Sequence, residues 1–319
     1  MYYVGIDLGG TNIAVGIVNE DKQIILKGST PTLASRDGEL IVKDMAALTE
    51  KLLKEANIPL SEVVHVGIGT PGSTNGETGE IVYANNLPFV NFPIAKYFKK
   101  YLPVEAVHVE NDANAAAFGE AVAGAAKGSK FSVMVTLGTG VGGGIVIDGK
   151  VYSGFNHAGG ELGHMVIKHN GRPCSCGRRG CWEAYSSATA LSAITKEKVI
   201  ECKAKGIPSL MVKEYDTHGK VSARTAFAAM KQGDAPAKEV VDTYIDFLAC
   251  GISNVINIFQ PEVLTIGGGV CNEKEHLLVP LMKLVETEQY TRSSRAKTRV
   301  AIAELGNDAG IIGAAFIGL

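Results

Sequence analysis

Two short segments of the chain carry residues that could bind phosphate groups. In each, an apolar run breaks into a turn and then resumes: the turns are Gly9-Gly10-Thr11 and Gly138-Thr139-Gly140. A strand, a glycine turn and a second strand form a β-hairpin whose turn exposes backbone N–H groups. Glycine lets this backbone approach an anion closely, and threonine adds a hydroxyl donor. Many hairpins contain one such turn, but the pair predicts two related halves that bind a polyphosphate between them.

A cluster of cysteines and one histidine is the strongest local signal. His164 precedes a short glycine-rich loop that contains Cys174, Cys176 and Cys181. Three thiols and one imidazole match the ligand set of a structural zinc site. The alternative is a set of buried free cysteines, but clustering among glycines and arginines is unlike a core. Because four protein ligands complete a tetrahedron, the sequence predicts Zn²⁺ in a structural role.

Two carboxylates flank this cysteine loop. Glu161 lies just before His164, and Glu183 follows the last cysteine after one residue. Carboxylates held beside a rigid loop could accept hydrogen bonds from sugar hydroxyls, although each alone could be an ordinary surface acid. His164 could bind zinc through one ring nitrogen and donate a hydrogen bond with the other.

Asp112 is a candidate general base. Asn111 and Asp112 come directly after a predicted strand and at the start of a predicted helix. An aspartate there could be a helix N-cap, which is the favoured interpretation of the segment alone. Phosphoryl transfer needs mainly positioning and charge neutralisation, so one carboxylate beside phosphate-binding turns would suffice. Beside the two glycine turns, the general base becomes the favoured interpretation.

The elements that position these residues alternate between strands and helices. Besides the two hairpins, strands are predicted at 63–69, 80–83, 107–110 and 263–266, and helices at 37–57, 94–101, 115–126, 187–205, 236–259 and 308–317. At 319 residues and 46% hydrophobic content the chain can bury two cores. We expect an N-terminal α/β lobe over 1–127, on which the last helix (308–319) packs, and a C-terminal α/β lobe over 128–307 with the zinc loop.

Charge and hydropathy exclude several classes of protein. The formal net charge is −2 and no stretch concentrates Lys and Arg, so nucleic acid is not an expected partner. No apolar run is long enough to span a bilayer, and the N-terminus lacks the pattern of a signal peptide. We therefore expect a soluble cytoplasmic protein without a membrane partner, in which the six cysteines are reduced or metal-bound.

These motifs together resemble the sugar-kinase branch of the ROK family (repressors, open reading frames and kinases), within the actin-like ATPase superfamily. The resemblance covers residues 4 to 315. Its segments are the two phosphate motifs (7–12 and 137–144), the segment of the catalytic aspartate (110–114), the sugar-binding Glu-x-Gly-His (161–164), the zinc motif (174–183) and the adenosine-side motif (264–269).

The resemblance implies a fold and a set of site residues. The fold would be the α/β actin-like ATPase (ribonuclease H-like) fold: two lobes, each with a mixed sheet flanked by helices, and a cleft between them. Asp112 would be the catalytic base. The sugar would contact Gly72, Asn85, Asn86, Asn111, Asp112, Glu161, His164 and Glu183. Mg-ATP would contact Asp7, Gly9, Gly10, Thr11, Asn12, Gly138, Thr139, Gly140, Gly267 and Gly268. Asp7 would position the magnesium. The zinc ligands would be His164, Cys174, Cys176 and Cys181.

The activity that the resemblance implies is an ATP-dependent hexose kinase that phosphorylates the C6 hydroxyl of glucose. An N-acetylglucosamine or N-acetylmannosamine kinase is the alternative, since the same pocket could make room at C2. A sugar-responsive repressor of the same family is disfavoured, because that branch carries an N-terminal helix-turn-helix whereas a strand is predicted here from Tyr2. The resemblance also implies a homodimer.

Overall fold

A computed structural model describes residues 1–319 and has an α/β architecture with three β-sheets. The strands are β1 (Tyr2–Leu8), β2 (Asn12–Asn19), β3 (Ile24–Pro31), β4 (Val63–Thr70), β5 (Ser73–Asn75), β6 (Glu80–Tyr83), β7 (Val90–Phe92), β8 (Val107–Asn111), β9 (Ser132–Leu137), β10 (Val141–Ile147), β11 (Lys150–Val151), β12 (Val263–Gly267) and β13 (Arg299–Ile302). The α-helices are α1 (Gly38–Glu55), α2 (Ile94–Tyr101), α3 (Asp112–Val122), α4 (Glu183–Ser186), α5 (Ala188–Lys205), α6 (Leu210–His218), α7 (Ala223–Met230), α8 (Ala235–Phe259), α9 (Glu275–Glu288) and α10 (Ala309–Phe316).

The chain divides into two compact units. Unit 1 comprises residues 1–134, 144–160 and 303–319, and unit 2 comprises 135–143 and 161–302. The division passes through β9 and β10, which belong to a sheet of order β11-β10-β9-β12-β13. The predicted domain limits stay a prediction. None of the helices combines the length and the apolar character that crossing a bilayer requires.

The first sheet of unit 1 brings three strand ends together. Its order is β3-β2-β1-β4-β8, with β1 antiparallel to β2 and parallel to β4, and β4 parallel to β8. Parallel strands end at the same edge of a sheet, and ligands of α/β proteins bind beyond that edge. The residues that follow β1, β4 and β8, among them Gly9, Gly72 and Asp112, are therefore placed at one edge of the sheet.

Small residues let helix α10 lie directly on this sheet. A Cβ on Gly5 of β1 would overlap the carbonyl oxygen of Ile311, and a Cβ on Gly67 of β4 would overlap that of Ala314. On its other side α10 packs against α3, where a Cβ on Gly313 would overlap the carbonyl oxygen of Ala115. Helix α3 also packs on the sheet, because a Cβ on Gly69 of β4 would lie 3.2 Å from the Cβ of Ala115.

The predicted bounds of α3 are wrong by about one turn. The sequence pattern predicts 115–126, whereas the helix begins at Asp112 and ends at Val122. It begins early because the Asn111 side chain accepts from the N–H groups of Ala113 and Asn114 and so caps the helix. It ends early because the N–H of Ala125 donates to the side chain of Glu120 instead of continuing the helix.

Two neighbouring strands of the first sheet carry a buried imidazole, that of His65, and a partly buried one, that of His108. His65 on β4 is 3% exposed, and its ring centroid lies 6.3 Å from that of His108 on β8. Burial, and then the neighbouring His108, lowers the pKa of His65 to about 4. An ordinary histidine in the unfolded chain has a pKa near 6.5, so the unfolded chain binds more protons between the two values.

We therefore expect stability to fall as the pH drops from 6.5 towards 4, with His65 contributing about 2 kcal/mol of loss between pH 7 and 5. The variant His65→Asn, which does not titrate here, should flatten this part of the curve. Urea unfolding at several pH values measures the effect, and His276→Asn, on an exposed residue of α9, is the matched control. If the free energy of unfolding depended on pH in the same way in His65→Asn as in the wild type, groups other than His65 would cause the acid sensitivity.

Candidate functional site

The first glycine turn in unit 1 is a closed hairpin turn. Strands β1 and β2 pair up to Leu8 and Ile13, and the N–H of Gly9 donates to the carbonyl of Asn12 at 2.9 Å. The hydroxyl of Thr32 donates to the Gly9 carbonyl at 2.6 Å, which fixes the turn from the side of β3. Thr11 is exposed. The predicted hairpin is confirmed, and its phosphate-binding role stays a prediction.

The second glycine turn is built from unit 2. The N–H of Gly138 donates to the carbonyl of Gly140 at 3.0 Å, and β9 and β10 are neighbours in their sheet, which confirms the second hairpin. Helix α5 holds the turn from one side, since the N–H of Ala188 and the hydroxyl of Thr189 donate to the carbonyls of Gly138 and Thr139 at 2.9 and 2.8 Å. These bonds occupy carbonyls of the turn.

Asn111, and not Asp112, caps helix α3. Besides capping the helix with its side-chain oxygen, Asn111 donates from Nδ2 to the carbonyl of Gly72 at 3.0 Å. Asp112 is the first residue of the helix and accepts the N–H of Ala113 at 2.8 Å. The N-cap interpretation of Asp112 is therefore wrong, and what remains of the structural explanation is that an acidic side chain in the first turn favours a helix N-terminus.

Asp7 and Asp112 form an electrostatically coupled pair in unit 1. Burial, and then the charge of Asp112, raises the pKa of Asp7 to about 6. Burial also raises the pKa of Asp112, against the hydrogen bond from the Ala113 N–H. Two partly buried carboxyl groups with raised pKa values can accept a proton or face a cation, which are the two demands of phosphoryl transfer.

Three further predicted residues of unit 1 lie in the segments that follow β4 and β6. Gly72 has φ +95, and a Cβ there would overlap the carbonyl of Tyr83, so only glycine fits. Asn85 accepts from the Tyr83 hydroxyl at 3.2 Å. Asn86 approaches the first glycine turn, because its Cβ would lie 3.6 Å from a Cβ on Gly10. Unit 1 thus brings its predicted site residues to one end of the sheet.

Glu110 is a residue of this region that the sequence analysis missed. It is 7% exposed, and its Oε1 accepts from the N–H of Asn111 at 2.8 Å and from Nδ2 of Asn114 at 3.0 Å. The hydroxyl of Ser153 donates to Oε2 at 3.3 Å. Through its hydrogen bond with the N–H of Asn111, Glu110 therefore fixes the backbone position of that residue. A charged residue at the end of a buried strand was the signal that could have identified it.

The four predicted metal ligands come together in unit 2. One ligand atom each of His164, Cys174, Cys176 and Cys181 lies within 4.8 Å of the others. Cys176 Sγ lies 3.7 Å from Cys181 Sγ, and Cys174 Sγ lies 3.6 Å from His164 Nδ1. A tetrahedral zinc ion with Zn–S bonds of about 2.3 Å places its ligands at such spacings.

The chemistry of the cluster also fits a cation. Burial and the neighbouring thiols raise the pKa of Cys181 to about 12, so a Cys181 thiolate needs a positive charge nearby. His164 turns Nδ1 to Cys174, while its Nε2 lies 3.9 Å from Oε2 of Glu161. One ring nitrogen is thus available to a metal and the other to a carboxylate, as the sequence suggested.

Glu183 connects the cysteine loop with the second glycine turn. Its Oε2 accepts from the N–H of Val141 at 3.1 Å, and a Cβ on Gly140 would overlap this oxygen. Its Oε1 accepts from the hydroxyl of Ser175 at 3.3 Å. Both oxygens therefore have protein donors, whereas Glu161 is exposed. The sugar-binding role of both carboxylates stays a prediction.

The third glycine segment of unit 2 packs on the second hairpin. Gly267 is the buried last residue of β12, and Gly268 has φ +94. A Cβ on Gly268 would overlap the carbonyl of Leu137, so the chain passes directly over the end of β9. Backbone contact of this kind and a positive φ need glycine, which explains Gly268 within the Gly-Gly-Gly run at 267–269.

We expect the purified protein to contain about one Zn²⁺ per chain. Cys176→Ala should remove the metal and lower the Tm by several degrees, because the loop has few apolar residues to hold it and structural zinc contributes folding energy. Elemental analysis and calorimetric melting measure both effects. Cys250→Ala, outside the cluster, is the control and should retain the metal. Wild-type protein without zinc, purified in the absence of chelators, would contradict the assignment.

Comparison with known proteins gives full-length matches. The model of the ROK family matches residues 3–318. The chain is 38% identical to a glucokinase of Halalkalibacterium halodurans (99% of this chain, 94% of the relative) and 39% identical to a glucokinase of Thermotoga maritima (98% and 96%). It is 32% identical to an N-acetyl-D-glucosamine kinase of Aliivibrio salmonicida (100% of both chains).

Solved structures agree with these relatives. The ROK family glucokinase of Streptomyces griseus, in complex with glucose and AMPPNP, matches with a TM-score of 0.78 at 30% identity, over 99% of this chain and 98% of that chain. The ROK hexokinase of Thermus thermophilus matches with a TM-score of 0.80 at 33% identity, over 99% and 97%. These matches confirm the predicted α/β fold of the actin-like ATPase type.

Proposed function

The chain belongs to the ROK family, and we propose that within it the protein is a glucokinase, which transfers the γ-phosphoryl group of ATP to the C6 hydroxyl of glucose. The observation that carries this proposal is the coupled pair Asp7 and Asp112 at the edge where β1 and β8 end. Full-length relatives named glucokinase and a related structure with glucose and AMPPNP support the choice of sugar and donor.

Asp112 acts as the general base in this proposal. Its carboxylate takes the proton of the C6 hydroxyl as that oxygen attacks the γ-phosphorus, the bond between the γ-phosphorus and the β–γ bridging oxygen breaks, and ADP leaves. Burial supports the role, because it raises the pKa of Asp112 towards the range in which a base both accepts and releases protons. The bond from the Ala113 N–H orients one carboxylate oxygen, which leaves the other for the substrate.

The remaining site residues bind and orient the substrates. As the resemblance implies, the sugar would contact Gly72, Asn85, Asn86, Asn111, Glu161, His164 and Glu183. The ATP phosphates contact the turns at 9–12 and 138–140, and the adenosine contacts Gly267 and Gly268. Mg²⁺ carried by ATP neutralises phosphate charge, and Asp7 helps to position it through water. His164, Cys174, Cys176 and Cys181 would hold zinc, which would order the cysteine loop without taking part in the reaction. As in the resemblance, we propose a homodimer.

Asp112→Asn separates catalysis from stability. The amide keeps the size of the carboxylate but accepts no proton at neutral pH, so kcat should fall by roughly 10²-fold or more. The Tm should stay near that of the wild type, because Asn111 caps the helix. Steady-state kinetics and melting curves measure the two quantities. Asp37→Asn, at the N-cap of α1, is the matched control and should change neither. Retention of most of the turnover in Asp112→Asn would remove the base from the mechanism.

A coupled assay with several sugars tests the substrate. We expect glucose to give the highest kcat/KM, with mannose and glucosamine weaker, because a carboxylate that binds a ring hydroxyl is left unpaired when that hydroxyl is absent or displaced. Fructose, N-acetylglucosamine and N-acetylmannosamine complete the panel. A higher kcat/KM for an N-acetylated sugar would favour the alternative kinase, for which the Aliivibrio relative is the precedent. No turnover of any sugar would refute the proposed function.

A further inference from the structure

A buried carboxylate of unit 1 has no role in the mechanism above. Glu120 lies near the end of α3 and is fully buried. Three backbone N–H groups donate to its side chain: that of Ala125 to Oε2 at 2.8 Å, that of Glu304 to Oε2 at 3.2 Å and that of Leu305 to Oε1 at 2.8 Å. A buried charge is costly unless its hydrogen bonds are satisfied, and here N–H donors from two segments satisfy it.

The chemistry of this arrangement requires a carboxylate. Both oxygens of Glu120 accept N–H groups, and a glutamine of the same size would turn an NH₂ group towards at least one of these donors. Glu120 therefore ties residues 304–305, which are 184 and 185 positions away in the sequence, to helix α3. These hydrogen bonds hold residues 304–305, which lie outside the helices and strands, against α3.

The tied segment leads directly into helix α10. Residues 304–305 are followed by a single 3₁₀ turn at Gly306–Asp308 and then by α10. Next to Glu120, a Cβ on Gly119 would overlap the carbonyl of Ala309, the first residue of α10. The N-terminus of α10 is thus held at two neighbouring positions of α3: by backbone contact at Gly119 and by the segment bound to Glu120.

The same N-terminus reaches the proposed reaction site. A Cβ on Gly310, the second residue of α10, would lie only 3.2 Å from Oδ2 of Asp7. Helix α3 itself begins at Asp112. One helix therefore carries the proposed base at its start and, near its end, the carboxylate that fixes the neighbour of Asp7.

We propose that Glu120 is a positioning residue of the phosphoryl-transfer site, which sets the N-terminus of α10 against Asp7 by holding residues 304–305. This inference rests on the proposed function, in which Asp7 positions the magnesium of Mg-ATP. Glu120 touches no substrate. Its loss therefore weakens the binding and use of Mg-ATP and leaves the sugar side of unit 1, at Gly72 and Asn111, unchanged.

Glu120→Gln is the first test. Because a displacement of about 1 Å at a reacting group can cost two orders of magnitude, we expect the KM for Mg-ATP to rise at least about tenfold. The Kd for glucose, measured by calorimetry, should stay within about twofold. Glu304→Gln removes an exposed carboxylate from the same segment without touching its backbone N–H, and should behave as wild type. In Glu120→Gln, a rise in both the KM for Mg-ATP and the Kd for glucose would overturn the proposal, as would a lower Tm with unchanged kinetics.

Gly310→Ala tests the contact between α10 and Asp7. It also keeps the proposal testable if Glu120→Gln does not fold. Alanine favours the helix, but its methyl group crowds Asp7, so the Tm should hold while the KM for Mg-ATP rises. In the double variant, the KM for Mg-ATP should rise by less than the product of the two single-variant increases, since both substitutions act through one contact. An unchanged KM for Mg-ATP in Gly310→Ala, or full additivity in the double variant, would refute the connection.

Binding of Mg-AMPPNP to the same variants separates this inference from the proposed function. Calorimetry measures that binding without any sugar, so it reports on Glu120 even if no hexose is phosphorylated. Weaker Mg-AMPPNP binding in Glu120→Gln and Gly310→Ala, with normal binding in Glu304→Gln, supports the positioning role. Equal binding in all of these variants and the wild type rejects it.

Discussion

The backbone contact between helix α10 and the first sheet is the constraint on which unit 1 depends. Gly5 and Gly67 have no side chain, so the carbonyls of Ile311 and Ala314 lie against β1 and β4 where a Cβ would otherwise stand. This contact places the start of α10 beside the end of β1. It also brings Gly310 against Asp7, whose burial, together with the charge of Asp112, raises the pKa of that carboxyl group to about 6. A close packing of small residues thus determines the electrostatics of the proposed site.

Four carboxyl groups of unit 1 have different environments, and the difference separates their roles. Glu110 and Glu120 are buried, and backbone and side-chain donors satisfy their oxygens. Such groups hold the chain in place. Asp7 and Asp112 are only partly buried and have fewer donors, and burial raises the pKa of both. These two are the carboxyl groups that remain available for a proton or a cation.

In unit 2 one carboxylate joins two functional segments. Glu183 binds the N–H of Val141 after the second glycine turn and the hydroxyl of Ser175 within the cysteine loop. Gly140 leaves the space for this carboxylate, and Gly163 lets the chain before His164 contact the carbonyl of Val141. The loop that would bind zinc and the turn that would bind phosphate are therefore packed on each other, so the order of one supports the order of the other.

The sequence by itself determined what depends on local pattern and residue chemistry. Apolar runs around glycine turns predicted both hairpins, the cysteine spacing predicted the four ligands that meet in space, and the motifs predicted the family and fold. It did not predict helices α6, α7 and α9 or strand β13, where apolar periodicity is weak or interrupted, as by Pro280 within α9. The tertiary structure decided that Asn111 and not Asp112 caps α3, because that choice depends on where the preceding strand ends. It also decided the partners of Glu183 and Glu120. Those donors belong to segments far away in the chain, and no local pattern can report which backbone N–H groups folding brings to a buried carboxylate.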